Sequence, residues 1–222
     1  PMSRSGKLDY VDALRGMAIL AVVLVHCDQH GTNVFPTIFH SIFSNGAMGV
    51  QLFYVMSAFT LFLSCDRRGG RELYPNRNFF IRRFFRIAPM YWLGITYYLW
   101  QNGRGPSFWL GDAPGISDGN ILANIFFVHG VNPYWINSLV PGGWSIAVEM
   151  VFYLMIPLLF TWIKDLNGAV KAFLIILVGR LILHAVLVTH PLISDIGLWH
   201  LYLFYYLPNQ LPVFMVGIML FF

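Results

Sequence analysis

Long apolar runs broken by short polar ones organise this chain. Apolar positions are near-continuous over residues 11–27, 47–65, 88–100, 144–163, 170–188 and 199–222. Runs of this kind read as membrane helices, because about 20 residues at 1.5 Å rise cross about 30 Å of hydrocarbon. Residues 120–130 are apolar but too short for an ordinary span, so they predict a short re-entrant or interfacial helix. The breaks carry their own signals. Asp28, Gln29, His30, Gly31 and Asn33 form a polar loop, 66–87 is arginine-rich, 101–119 is rich in Gly, Pro and Asp, and 131–143 holds prolines with Gly and Asn turn residues. Pro208, beside Asn209 and Gln210, predicts a kink in the last helix. The pattern predicts an all-α fold: a polytopic transmembrane helical bundle of about six spans plus the short helix. It has no internal repeat, so residues 1–222 read as a single domain without a separate soluble part. The last apolar run reaches Phe222 with no polar flank, which reads as an incomplete, N-terminal part of a larger bundle.

Composition agrees with a membrane protein. Apolar residues make up 57% of the chain and charged residues 11%, where a soluble domain carries about 25% charge. Mean hydropathy is +0.63. Aromatic residues reach 17%, with Trp and Tyr near segment ends as in interfacial belts. Asp12 and Arg15 interrupt the start of the first run, so it does not read as a cleavable signal peptide. Cys27 and Cys65 are too few for a disulfide scaffold. The net charge of +4 is not spread over a water-soluble face, so nucleic acid is not an expected partner. It sets orientation instead. Arg67, Arg68, Arg71, Arg77, Arg82, Arg83 and Arg86 fall in one stretch, and the N-terminal tail adds Arg4 and Lys7. By the positive-inside rule both ends of the first helical hairpin, and so the N-terminus, are cytoplasmic. Lys164 and Lys171 mark a further cytoplasmic turn, which requires that 120–130 does not cross.

Three places along this pattern can carry chemistry. Arg15 and His26 are eleven positions apart on the first helix, almost three whole turns, so they share a face roughly 16 Å apart along the axis. With Arg15 at the membrane surface, His26 lies near the bilayer centre, where an ionisable group is expensive and usually functional. A neutral imidazole there is a general base for a hydroxyl; the alternative is a core histidine bonded to a neighbouring helix. Asp12 lies one turn before Arg15 and can pair with it. His26 and His30 have i, i+4 metal spacing, but two ligands are too few for zinc, so no metal site is expected. Cys27 adjoins His26 and does not face it.

The second place is Arg82-Arg83-Phe84-Phe85-Arg86. Arg82 and Arg86 project together at i, i+4, flanked by Arg83. Paired guanidinium groups suit phosphate oxygens, either of anionic lipid or of a phosphorylated cytoplasmic ligand. The third is Trp144-Ser145-Ile146-Ala147-Val148-Glu149 followed by Tyr153. Ser145, Glu149 and Tyr153 are spaced by four and form one polar stripe. A carboxylate in an apolar helix must be paired, protonated or solvated in a cavity, so Glu149 is either a structural ion-pair partner or part of a reaction centre.

Together these segments resemble the acyltransferase 3 family of integral membrane acyltransferases. The resemblance rests on Leu8-Asp9-Tyr10-Val11-Asp12-Ala13-Leu14 leading into the helix from Arg15 to His26. Further matches are Gly49–Phe59, Phe80–Trp92, and Trp144–Glu149 with Phe152-Tyr153. One departure is Met56-Ser57-Ala58, where many members have a Ser-Gly pair; another is length, since members usually carry about ten helices. The resemblance implies O-acylation, commonly O-acetylation, of carbohydrate, glycolipid or other small hydroxyl acceptors in a bacterial inner membrane. The donor would be acyl-CoA, with acetyl-CoA the expected co-substrate and no bound cofactor. Carried over by motif, His26 and Arg15 would be the catalytic pair, Glu149 the family's acid, and Arg82, Arg83 and Arg86 its arginine motif. Donors to the developing oxyanion would come from Trp144, Ser145 and Tyr153. The competing class is a secondary transporter or channel using the same His, Arg and Glu as an intramembrane site.

Overall fold

A computed structural model describes residues 9–30, 48–69 and 71–222. The described residues are helical and turn structure without strands. The helices are α1 (Asp9–His30), α2 (Gly49–Gly69), α3 (Pro75–Asn102), α4 (Asp118–Ile125), α5 (Gly143–Trp162), α6 (Leu166–Thr189), α7 (Ile196–Tyr205) and α8 (Leu207–Met219), with 3-10 turns at Phe108–Leu110 and His129–Val131. The polar-loop residues 31–33 lie outside the described residues, as do the side chains of residues 25–30.

Two compact units divide the chain: residues 1–61 with 213–222, and residues 62–212. In the first, α1 meets the start of α2 through small residues. A Cβ on Gly49 would come within 2.6 Å of the Ala18 carbonyl oxygen, so only glycine allows this approach of backbones, the usual device between membrane helices. Tyr54 stacks on Phe214 at 4.3 Å between ring centroids, and Ala58, Leu61, Met215 and Ile218 are buried beside them in the same unit.

The second unit is built on α3. Pro75 stands at its first turn, where a missing N–H costs nothing. The arginine stretch and the third apolar run are therefore one continuous helix, not a polar connection followed by a span. Ala88, Tyr91 and Ile95 form its inward stripe, packed with Phe127 and Leu139. Local caps start the later helices: Ser117 accepts from Asn120 N at 3.2 Å, Asp165 from Gly168 N at 2.6 Å and Asp195 from Leu198 N at 2.9 Å. Each satisfies an N–H that the first turn leaves open.

Among the described residues three helices are long and apolar enough to cross a membrane: Gly49–Arg68, Gly143–Trp162 and Leu166–Thr189. This is fewer than the six spans the apolar pattern predicts. The second half of α3 carries Trp92, Tyr97, Tyr98 and Trp100, whose polar ring edges lower its hydropathy below that of the three. The expected short element is present as the eight-residue α4, about 12 Å long and unable to cross. The last apolar run is split, not kinked. Pro208 lacks an N–H and its ring opposes the carbonyl of residue 204, so the chain breaks at Tyr206, whose ψ is 154°. The freed Phe204 carbonyl accepts from Asn209 Nδ2 and Gln210 Nε2, both at 2.7 Å. Neither α7, of 10 residues, nor α8, of 13, is long enough to span. In α6, Leu174, Ile175, Val178, Leu181 and Ile182 are exposed, as expected of a helix whose solvent is lipid. This apolar exposure makes the chain membrane-integral.

Candidate functional site

The inward stripe of α3 decides which arginine enters the second unit. Stepping back from Ile95 by fours through Tyr91 and Ile87, which packs against the same cluster, leads to Arg83 and Phe79, and misses Arg82 and Arg86. Phe79 is buried. The Arg83 guanidinium lies over the rings of Phe79 and Tyr153, 5.8 and 5.7 Å from their centroids, a favourable placement against the negative ring face. It is also within electrostatic reach of Glu149 and Cys65. Tyr153 donates its hydroxyl hydrogen to Glu149 Oε1 at 2.6 Å. Glu149 is only 4% exposed, so its carboxylate sits in a place where a charge needs partners. Arg83, Tyr153 and Glu149 thus form one cluster between α3 and α5.

Arg82 and Arg86 do not act as a joined pair in this geometry. Arg82 donates through Nη1 to both Glu72 carboxylate oxygens, at 2.9 and 3.0 Å, and that guanidinium holds the Glu72 carboxyl below the ordinary carboxylate range. Arg68 reaches the same carboxylate at 3.5 Å. Arg86 is exposed. Arg82 also borders a small pocket with Cys65, Arg68, Asn76 and Thr161.

On α5 the remaining predicted residues have local roles. Ser145 donates its hydroxyl hydrogen to the Gly142 carbonyl at 2.8 Å. Trp144 is buried and packs its ring on Tyr205 at 4.4 Å. Gly142, at φ 76°, supplies the left-handed residue ahead of the helix. In the first unit, Arg15 donates from Nη2 to Thr60 Oγ1 at 2.7 Å, and Thr60 can pass its own hydrogen to the Met56 or Ser57 carbonyl. His26 belongs to α1, but its side chain, like those of Cys27 and His30, lies outside the described residues. No cluster of metal-ligating side chains occurs among the described residues.

A second polar group, not foreseen from the sequence, lies two steps of four further along the α3 row, about 12 Å from Arg83 at 1.5 Å per residue. Tyr91 donates to Asn124 Oδ1 at 2.7 Å, and its oxygen lies 3.1 Å from His129 Nε2. That nitrogen is also 3.1 Å from the Gly143 carbonyl. With a hydrogen on Nε2 donating toward Gly143 and Tyr91, every hydrogen in the group has an acceptor. Asn124 donates to Asn120 Oδ1 at 2.9 Å, and Asn120 Nδ2 donates to Ser138 Oγ at 2.8 Å. Asn120, Asn124 and His129 are buried. The readable signal was Asn120 and Asn124 at i, i+4 in an apolar helix, a costly arrangement unless bonded.

Comparison with known proteins places these motifs in context. The model of the acyltransferase 3 group, described as an acyltransferase domain, matches residues 8–222. The chain is 32% identical over 117 residues to the exopolysaccharide production protein ExoZ of Rhizobium meliloti, covering 50% of this chain and 33% of that protein. It is 27% identical over 195 residues to the peptidoglycan O-acetyltransferase OatA of Listeria monocytogenes, covering 81% of this chain and 28% of that protein. A third relative, the regulator of hypoxia-inducible factor 1 of Caenorhabditis elegans, is 31% identical over 103 residues, covering 39% of this chain and 20% of that protein. The chain therefore spans about a third or less of the curated relatives it matches. No solved structure matches it.

Proposed function

The chain belongs to the acyltransferase 3 family, and from that premise we propose that it takes part in moving an acyl group, acetyl first among them, from acyl-CoA to a hydroxyl of a carbohydrate or other small acceptor. The observation that carries this reading is the family match over residues 8–222. The names of two relatives, an exopolysaccharide production protein and a peptidoglycan O-acetyltransferase, support a carbohydrate acceptor. The arginine bias supports a cytoplasmic N-terminus in a bacterial plasma membrane, with the donor taken from the cytoplasm.

In this reading His26 removes the proton of the acceptor hydroxyl as its oxygen attacks the thioester carbon. The carbon–sulfur bond then breaks, and the imidazolium returns the proton to the leaving thiolate. Arg15, bonded to Thr60, completes the polar face of α1. Arg82, Arg83 and Arg86 supply guanidinium charge for the donor's phosphates. Trp144, Ser145 and Tyr153 are the available donors to the oxyanion. The hydrogen bond of Ser145 to Gly142 and that of Tyr153 to Glu149 mean that either must exchange a partner to serve. Glu149 acts as a positioning residue through Tyr153 and Arg83.

The test is transfer of labelled acetyl from acetyl-CoA to membrane carbohydrate by the full-length protein, compared with His26→Ala at equal protein level. Transfer by the wild type and none by the variant is expected. Equal turnover in the two would overturn the assignment of His26, and no transfer by a folded wild type would overturn the reaction.

A further inference from the structure

At the end of α3 away from the arginines the loop 103–117 folds into an open cup of about 630 Å³. Small-molecule sites commonly enclose about 300–1,000 Å³. Tyr134 and Trp135 form one wall, and Arg104, Leu110, Asp112 and Ser117 lie around the rest.

The loop is held, not loose. Ile116 N donates to the Arg104 carbonyl at 2.9 Å, and a Cβ on Gly115 would collide with that same carbonyl. Arg104 Nη1 bonds Asp118 at 2.6 Å. Gly111, at φ 56°, closes the preceding 3-10 turn, and a Cβ there would come within 2.8 Å of the Tyr134 ring. Only glycine allows both the backbone and the ring their positions. On the other side, Tyr134 N donates to Asn132 Oδ1 at 2.9 Å. The Trp135 carbonyl accepts from Ser138 at 3.2 Å, and Ser138 accepts from Asn120 of the buried Tyr91–Asn124–His129 group. The wall of the cup is thus pinned to the buried Tyr91–Asn124–His129 group, which reduces the ordering cost of binding.

The lining selects a chemical class. Arg104 is already neutralised by Asp118, which leaves the exposed Asp112 as the surplus charge of the cup. A phosphate or carboxylate ligand is therefore disfavoured. A pyranose ring is neutral, with C–H groups on its faces and hydroxyls at its rim. Tyr and Trp rings present flat apolar faces with a polar handle, and a carboxylate accepts hydroxyl hydrogens. The position fits too. From Arg82 to Asn102, α3 rises about 30 Å, the thickness of the hydrocarbon core.

We propose that this cup binds a neutral carbohydrate unit, with a sugar face on Trp135 and Tyr134 and its hydroxyls on Asp112, and that it is the acceptor site at the end of α3 opposite the donor-binding arginines. Its identification as the acceptor site rests on the acyltransferase reading; binding of the sugar does not.

The test uses full-length protein in detergent with two probes, chitotetraose and cellotetraose, by isothermal titration calorimetry. Saturable binding of at least one is expected, weakened about tenfold or more by Trp135→Ala and severalfold by Asp112→Asn, and unchanged by Trp100→Ala on the exposed face of α3. Asp112 is exposed, so its substitution keeps the test valid if Trp135→Ala fails to fold. In the transfer assay the same substitutions should raise the acceptor KM and leave the acetyl-CoA KM unchanged. No saturable binding to the wild type, or binding unaffected by both cup substitutions, overturns the proposal. Binding lost in the cup variants of a protein that transfers no acetyl group supports the cup and refutes the acyltransferase reading. Normal transfer with an unchanged acceptor KM in both variants overturns the identification of the cup as the acceptor site and leaves the acyltransferase reading standing.

Discussion

Replacing Gly143 by alanine tests the buried polar group by adding a single methyl. The new Cβ would lie 2.7 Å from the Tyr91 hydroxyl oxygen, while Val140 Cβ at 3.5 Å and Tyr91 Cζ at 3.6 Å are ordinary contacts. The hydroxyl cannot swing aside cheaply. Its ring is stacked on His129 at 5.7 Å and 12°, and packed on Phe127 at 5.4 Å. Overpacking of this kind costs about 1–3 kcal/mol. Pushing the hydroxyl off Asn124 leaves buried polar atoms without partners, a further ~1–3 kcal/mol. Alanine gains at most ~1 kcal/mol over glycine in a helix, so the net loss is about 1–6 kcal/mol. Tyr91→Phe alone should cost about 1–3 kcal/mol, for the acceptor it abandons. In the Tyr91→Phe background the methyl has no hydroxyl to meet, so Gly143→Ala should become close to neutral. SDS-induced unfolding in mixed micelles, run on both single variants and the double, measures the coupling. Additivity within about 0.5 kcal/mol would show that the two groups do not meet, and would refute the reasoning.

Three other outcomes follow from named contacts. Glu149→Gln keeps an acceptor for Tyr153 but removes the charge that faces Arg83; unfolding should be easier by roughly 1–3 kcal/mol, and Arg83→Met in the same protein should recover part of the loss, while an unchanged midpoint would show that Arg83 does not depend on the carboxylate. Glu72→Gln should release Arg82 and lower the acetyl-CoA KM a few-fold at pH 7. Because the folded-state pKa of Glu72 is depressed, its pair with Arg82 is intact above the ordinary carboxylate range and is lost as pH falls through the lowered value; the difference between wild type and Glu72→Gln should disappear with it, and no difference at pH 7 would mean that Arg82 does not meet the donor. Asn209→Leu removes the acceptor that takes two hydrogen bonds from Arg180, at 2.8 and 2.6 Å, and the donor to the Phe204 carbonyl, and should cost ~1.5–3 kcal/mol in the same unfolding assay, with Arg180→Leu in addition restoring only the part due to the stranded guanidinium.

The case of α3 shows why part of the site could be read in advance and part could not. The presence of Arg82, Arg83 and Arg86 beside apolar anchors was plain, and i, i+4 spacing paired Arg82 with Arg86. Spacing fixes which side chains share a face, but not which face turns inward. That follows from the row of Ile87, Tyr91 and Ile95 at spacings of four, which becomes informative only when the arginine stretch and the apolar run are one helix. Arg83 then falls inside and Arg82 turns to Glu72. The same limit explains Tyr91, Asn124 and His129. They come from three separate segments, and no local period links them.

Pro208 marks the corresponding limit for element boundaries. A proline with two amides after it announces a disturbed helix, and that much is local chemistry. Whether the helix bends or ends depends on what takes the Phe204 carbonyl, and Asn209 and Gln210 do so by closing the break. The apolar runs, the low charge and the ordered motifs determined on their own an all-helical membrane chain of the acyltransferase 3 family, because hydrophobic period and motif order are properties of neighbours in sequence. The Arg83–Tyr153–Glu149 cluster, the buried Tyr91 group and the Trp135 cup were decided only by tertiary structure, because burial and hydrogen-bond partners depend on which distant segments the packing brings to one stripe of α3.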